Sequence, residues 1–212
     1  MTLWHEVLPR RYGMIERFNH VGAFAWPVPP GCRTLEIGAG LGAHLEFEDL
    51  SRQSYTANEL RPEMAGRIQA RYPGVKVLVG DLQQGLDYPA ASFDRVVAVH
   101  VLEHLPDLPR ALAEIDRLLA PGGVLQAVLP CEGGLAYSLA RRLSAQRVFE
   151  SRFKMAYAPI IACEHVSEAD EIVAELEKRF DLAWRRYFPF RGLPWWTLNL
   201  VFGTLWRKRG EA

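Results

Sequence analysis

A chain of 212 residues, 49% hydrophobic and 24% charged, can bury one sizeable core but leaves little room for a second domain. Lys+Arg and Asp+Glu number 25 each, so no global field gathers polyanions, and large nucleic acids are disfavoured as substrates. Cys32, Cys131 and Cys163 are odd in number and lie in no Cys-x-x-Cys spacing, which speaks against a disulfide framework or a thiolate zinc site and makes the cytoplasm the expected compartment.

Residues 1–19 mix Trp4, Glu6, Arg10, Arg11 and Glu16 and hold no apolar h-region, so no secretory signal is expected. Short apolar clusters over 3–18, broken by Pro9 and Gly13, predict one or two short helices. Tyr12, Phe18, Asn19 and His20 then either pad the sheet edge or reach a ligand. Pro27, Pro29, Pro30 and Gly31 mark a rigid connection into the first strand.

The run 34–37 reads as that strand, with Glu36 near its end, and it breaks into Gly38, Gly40 and Gly42. Glycine removes the Cβ wall that would keep a ligand off the backbone. Such a loop lies at the carboxyl edge of an open α/β sheet, where these folds bind ligands. The spacing is G-x-G-x-G, not the dinucleotide G-x-G-x-x-G, and a plain strand-to-helix turn also fits it.

A short helix is predicted over 43–50, with Leu45 and Leu50 facing the core. A second strand over 55–58 leads to Glu59, about twenty residues past the first glycine, where a carboxylate can accept from both hydroxyls of a ribose. Residues 62–72 read as a helix opened by Pro62 and closed by Pro73-Gly74. A third strand over 75–79 leads to Asp81, where a carboxylate can accept from an exocyclic amine such as adenine N6. A fourth follows over 95–99, then a helix over 109–119 with Leu112, Ile115 and Leu119 at helical spacing, then a fifth strand over 124–129. Strands alternating with helices imply parallel crossovers, hence an α/β doubly wound, mostly parallel sheet.

With these acids in place the chain resembles a class I S-adenosylmethionine-dependent methyltransferase, of the small-molecule type related to the ubiquinone and menaquinone methylases. The likeness continues through 92–105, including His100, Glu103 and His104, to the Leu-x-Pro-Gly-Gly turn at 119–123, and spans about residues 31–129. It implies S-adenosylmethionine as cofactor and a small-molecule acceptor. It places Glu36, Gly38 and Gly40 beside the methionyl part, Glu59 on the ribose with Leu60 next to it, Asp81 and Leu82 by the adenine, and His100 close to the sulfonium methyl. It also implies a Rossmann-like sheet of seven strands, the last antiparallel, with an insert after the fifth. The expected organisation is a single methyltransferase domain over 1–212: an N-terminal cover (1–30), a cofactor-binding core (31–130), a lid or substrate insert (131–166), and a closing helix with the last strands (167–212).

After the fifth strand the likeness fades. Cys131 or Glu132, at the ligand edge, is placed to face the transferred methyl; a helix is expected over 134–148 with Arg141, Arg142 and Arg147 on its solvated side. The aromatic and basic run Phe149, Arg152, Phe153, Lys154, Tyr157 reads as the lid. A helix over 167–180 opens on Ser167-x-x-Asp170 and carries the stripe Ile172, Val173, Leu176, Phe180. Strands over 182–188 and 197–206 finish the sheet.

His100, Glu103 and His104 suggest a divalent cation, yet such a Glu-His pair also opens helices in relatives that need none, and no metal is expected. His100 alone is a candidate general base or a packed histidine. The tail from Phe188 through Trp195, Trp196 and Trp206 to Arg209 reads as a buried strand, or as a membrane-surface contact too short to span a bilayer. A non-catalytic S-adenosylmethionine-binding protein and a nicotinamide-dependent oxidoreductase are the alternatives, the latter leaving Asp81 without a role.

Overall fold

The computed structural model describes residues 13–24, 26–160, 165–193 and 195–210. One sheet holds the strands β1 Cys32–Ile37, β2 Gln53–Glu59, β3 Lys76–Val79, β4 Phe93–Val99, β5 Leu119–Pro130, β6 Phe180–Phe188 and β7 Val201–Lys208. Their order is β3-β2-β1-β4-β5-β7-β6. β1 to β5 are parallel, and β7 runs antiparallel to both of its neighbours. Central strands buried on both faces must be apolar almost throughout, and Leu35, Val96, Val97, Leu125 and Val128 are fully enclosed.

The helices are α1 Gly13–Arg17, α2 Pro62–Arg71, α3 Leu108–Leu118, α4 Leu135–Leu143, α5 Ala145–Phe153 and α6 Ala169–Glu177. Pro62 opens α2 at a position whose N–H needs no partner, and Met64, Ala65 and Ile68 are buried beneath it. α3 starts where the Asp107 carboxylate accepts the Arg110 N–H at 3.2 Å, and it buries Leu108, Leu112, Ile115 and Leu118 along one stripe. Each such side chain contributes about 1.5–3 kcal/mol of burial. Ile115→Ala would therefore cost about 2–5 kcal/mol.

α1 runs into a wide π-helical turn, Phe18–Gly22, that lies on the sheet beside β5 and β7, where Phe18 and Ala23 pack with Val128 and Val201. Gly203 on β7 makes this seat possible, since a Cβ there would come within 2.5 Å of the Ala23 Cβ.

Several local expectations are corrected. The helix over 43–50 is one 3₁₀ turn, His44–Phe47. The fifth strand begins at Leu119 and passes through Pro121-Gly122-Gly123 with a shift of register against Phe93 and Arg95. The helix over 134–148 breaks at Ser144, whose φ of −125° and ψ of −91° cannot continue a helix, and a second one follows. The capping box of α6 is formed by Glu168 and Glu171 instead of Ser167 and Asp170. The last strand begins at Val201, because Trp196–Leu198 coils into a 3₁₀ turn. Tyr12 and Cys163 lie outside the described residues. Among the described residues no helix is long and apolar enough to cross a membrane.

Candidate active site

With β1 and β4 adjacent and the chain running outward on either side, the carboxyl ends of β1 to β4 meet at the switch point of the sheet. Gly38 turns the chain off β1 with a φ of +61°, and a Cβ at this position would stand 2.6 Å from Val101 Cγ2, so only glycine fits. The loop is then tied to β2: the Ala39 N–H donates to Asn58 O at 2.9 Å, and the Gly40 N–H donates to Glu59 Oε2 at 2.8 Å. Glu59, almost fully buried, also accepts from the Arg61 backbone N–H and Nε through Oε1, at 3.0 and 2.9 Å. Asp81, past β3, accepts from the Gln83 N–H and side-chain amide through Oδ1 alone, which leaves Oδ2 for a ligand.

Gly38, Glu59, Leu60, Asp81, Leu82 and His100 come together around one cavity of about 890 Å³. His100 follows β4 in the left-handed region with φ +52°, a conformation that costs a non-glycine residue energy and concentrates at functional positions. Its Nδ1 lies 3.3 Å from Glu103 Oε1, which leaves Nε2 as the nitrogen available to a ligand. Glu103 is 1% exposed and shares the cavity wall. Burial pushes its carboxyl up, but the hydrogen bond from His100 and the two neighbouring imidazoles outweigh this and hold it below the usual range. Its second oxygen is buried with no hydrogen-bond partner.

Other candidates lie elsewhere. Glu36 is not on the cavity wall: its carboxyl accepts from the Tyr55 hydroxyl at 3.0 Å, and burial pushes it up to about 8. Gly40 is also off the wall, its N–H engaged by Glu59. Cys131 is enclosed in the core, with burial pushing its thiol up to about 12. Glu132 turns to His165 at 2.8 Å. Of the early residues, Asn19 reaches the cavity, while Phe18 packs on Phe188 and His20 pairs with His44. Among the described residues no group of three or more His, Cys, Asp or Glu is placed to hold a metal ion.

Arg141, expected in solvent, lines the cavity instead, with its Nε buried and a nitrogen 3.8 Å from Glu132. Tyr137, Ala140, Arg141 and Ser144 share this wall at helical spacing, and Tyr157 joins them from beyond α5. The i, i+3, i+4, i+7 recurrence was present in the sequence, but on a mixed polar stripe it looks like a solvated face.

The methyltransferase-domain family matches this chain over residues 35–127. The sterol 24-C-methyltransferase of Aspergillus fumigatus is 32% identical over 120 residues, taking in 53% of this chain and 32% of that protein. The ubiquinone biosynthesis O-methyltransferase of Xanthomonas axonopodis is 34% identical over 101 residues, 46% of this chain and 42% of that protein. The N-methyltransferase NodS of Bradyrhizobium japonicum, solved with S-adenosyl-L-homocysteine, superposes with a TM-score of 0.60 over 97% of this chain and 90% of its own, at 17% identity.

Residues 35–127 thus match a methyltransferase domain, and the chain is similar to the class I S-adenosylmethionine-dependent methyltransferases. The matched regions span about a third and about two fifths of the two curated relatives above, and the family match ends within β5.

The site fits the cofactor of the proteins it resembles on its own geometry. A dinucleotide needs a helix N-terminus behind the glycine loop to receive its pyrophosphate, and here only the single turn His44–Phe47 follows. Acids line the cavity instead, Glu16, Glu59, Asp81 and Glu103 among them, which suits a cationic ligand.

Proposed function

We propose that this protein transfers a methyl group from S-adenosylmethionine to a small apolar or aromatic acceptor. The convergence of Gly38, Glu59 and Asp81, from three successive strand ends, on one cavity with His100 carries this reading. When bound, the cofactor supplies an electrophilic methyl on a sulfonium. Glu59 is the ribose acceptor, pre-oriented by Arg61 and the Gly40 N–H; Asp81, with Leu60 and Leu82, takes the adenine. His100 Nε2 removes a proton from the acceptor, and Glu103 positions the imidazole by holding Nδ1. The remaining wall aligns the acceptor, and alignment alone can supply on the order of 7–11 kcal/mol of a barrier.

An apolar or aromatic acceptor suits a wall with Leu105, Tyr137, Tyr157, Leu200 and Val201. The two curated relatives are named for a sterol and for ubiquinone biosynthesis, in keeping with that wall. Within a single domain over 1–212, residues 1–30 and 131–166 act as covers over the core 31–130, and 167–212 close the sheet. The protein works in the cytoplasm, on small molecules and not on nucleic acid.

Calorimetry with S-adenosylhomocysteine and with NAD tests the assignment. Binding of the first and not the second is expected, followed by transfer of labelled methyl into an organic-soluble product. Binding of NAD alone would overturn it.

A further inference from the structure

Helix α4 is turned inside out for a protein surrounded by water. Leu135, Leu139 and Leu143, at i, i+4 and i+8, are 73%, 59% and 54% exposed. Tyr137, Ala140, Arg141 and Ser144 face the cavity instead. An amphipathic helix on a soluble domain does the reverse.

A second apolar element adjoins it. The loop after β6 exposes Phe190, Leu193, Trp195 and Leu198. It abuts the start of α4, where the Trp196 Nε1–H donates to Glu132 O at 2.8 Å and Trp196 O lies 3.0 Å from the point a Cβ on Gly134 would occupy. This loop is held rigidly. Asn199, fully buried, accepts the Phe190 N–H and donates to Leu193 O and Trp195 O, all at 2.9 Å. A loop of exposed aromatic residues stapled into one shape by a buried amide is built to present them.

Charge identifies what they are presented to. The whole chain is neutral, yet residues 135–160 carry Arg141, Arg142, Arg147, Arg152 and Lys154 against the single acid Glu150. That acid is engaged internally, accepting from the Gln146 side chain and the Tyr157 N–H. Arg142, Arg147, Arg152 and Lys154 are exposed, as is Arg191 in the stapled loop. Exposed leucines and a tryptophan on elements that also carry exposed arginines match the apolar interior and anionic headgroups of a lipid surface.

From this we infer that α4, α5 and the loop over 189–198 form a docking surface for an anionic bilayer. The inner face of α4 walls the cavity, so docking seats the cavity beside the lipid. Of the aromatic tail from Phe188 to Arg209, only the first part, with Phe190 and Trp195, belongs to this surface, whereas the part over 201–208 is a largely buried strand. The inference does not depend on methyl transfer, because binding to lipid is read without turnover.

The test is co-sedimentation with vesicles of phosphatidylcholine alone and of phosphatidylcholine mixed with phosphatidylglycerol. Binding to the mixed vesicles roughly tenfold or more tighter than to the neutral ones is expected, weakening as salt rises. Leu139→Glu and Trp195→Ala should each weaken it about tenfold or more at unchanged melting temperature and S-adenosylhomocysteine affinity. No binding to mixed vesicles, or equal binding by the variants, would overturn the inference. A dimer in sedimentation velocity that Leu139→Glu dissociates would overturn it too, assigning the face to a second copy of the chain.

Discussion

Nδ1 of His20 lies 3.1 Å from Nδ1 of His44, so one ring must donate and the other accept, and the two cannot both be charged. Behind His44 stands Glu48, 2.8 Å from His44 Nε2 and 2.8 Å from the buried Arg95; in front of His20 stands Glu16 at 3.3 Å. This relay ties the N-terminal segment, which brings Glu16 and Asn19 to the cavity, to the underside of the sheet. Burial pulls the His44 imidazole down to about 4, against the hydrogen bond and charge of Glu48. A lowered histidine contributes stability that is complete above the unfolded value of 6.5 and is lost as pH falls toward 4. Melting temperature should therefore drop through that window. His44→Gln should flatten the drop, and an unchanged slope would remove His44 as its cause.

Glu36 has the opposite sign. Its folded value of about 8 stands above its ordinary 4.5, so the stability it contributes is complete below 4.5 and declines as pH rises to 8. Toward pH 8 His44 is neutral in both states, so of these two groups only Glu36 still contributes a slope. Glu36→Gln should remove it while keeping an acceptor for the Tyr55 hydroxyl, and thermal scans from neutral to mildly alkaline pH give the comparison.

Glu59→Ala should weaken S-adenosylhomocysteine binding by about tenfold or more, since hydrogen bonds to a charged acceptor are worth about 1.5–3 kcal/mol each. It also frees the Gly40 N–H, so the loop should exchange its amide hydrogens faster. Retained affinity in calorimetry would shift the ribose contact to another residue.

His100→Ala should lower turnover roughly 10²- to 10⁴-fold with cofactor affinity nearly unchanged, as expected of a group that acts only in the transition state. Glu103→Gln leaves the imidazole in place but without its anionic partner. A smaller loss of turnover is expected from it, with cofactor affinity again nearly unchanged. If chelators abolish activity and His104→Ala is as damaging as His100→Ala, the base assignment fails in favour of a metal.

The cover over the cavity should open at Lys154, which ends α5 in the left-handed region at φ +56° and is exposed. Trypsin should cut there or at Arg152 in the free protein and more slowly with S-adenosylhomocysteine present. Equal cutting in both states would make α5 a fixed wall, anchored by the packing of Phe149 on Tyr157.

That Gly38, Glu59, Asp81 and His100 share one cavity was readable from residue order, because they sit at strand ends. Glu59 and Asp81 each follow a β-like run, and strand ends in a parallel sheet share one edge. The acceptor half was not readable in this way. Tyr137 and Arg141 share a helical stripe with Ala140 and Ser144, but which side of α4 meets the cavity depends on how the helix packs on the sheet, which a local pattern does not carry. The pair His20–His44 was hidden for the same reason: the residues are 24 positions apart and share no motif. At Glu36 a motif position implies a ligand contact, while the carboxyl accepts from the nearby Tyr55 hydroxyl, a pairing 19 positions apart that the motif does not carry.

The sheet order has an evolutionary consequence. Gly38, Glu59 and Asp81 hang from β1 to β3, on one side of the switch point, whereas α4, α5 and β7 belong to the other. On the proposed function, changes confined to the second side leave Gly38, Glu59 and Asp81 in place, so one lineage can keep its methyl source while trying out new recipients. Grafting residues 131–166 from a methyltransferase with a different acceptor should then redirect what is methylated, with affinity for S-adenosylhomocysteine carried over unchanged.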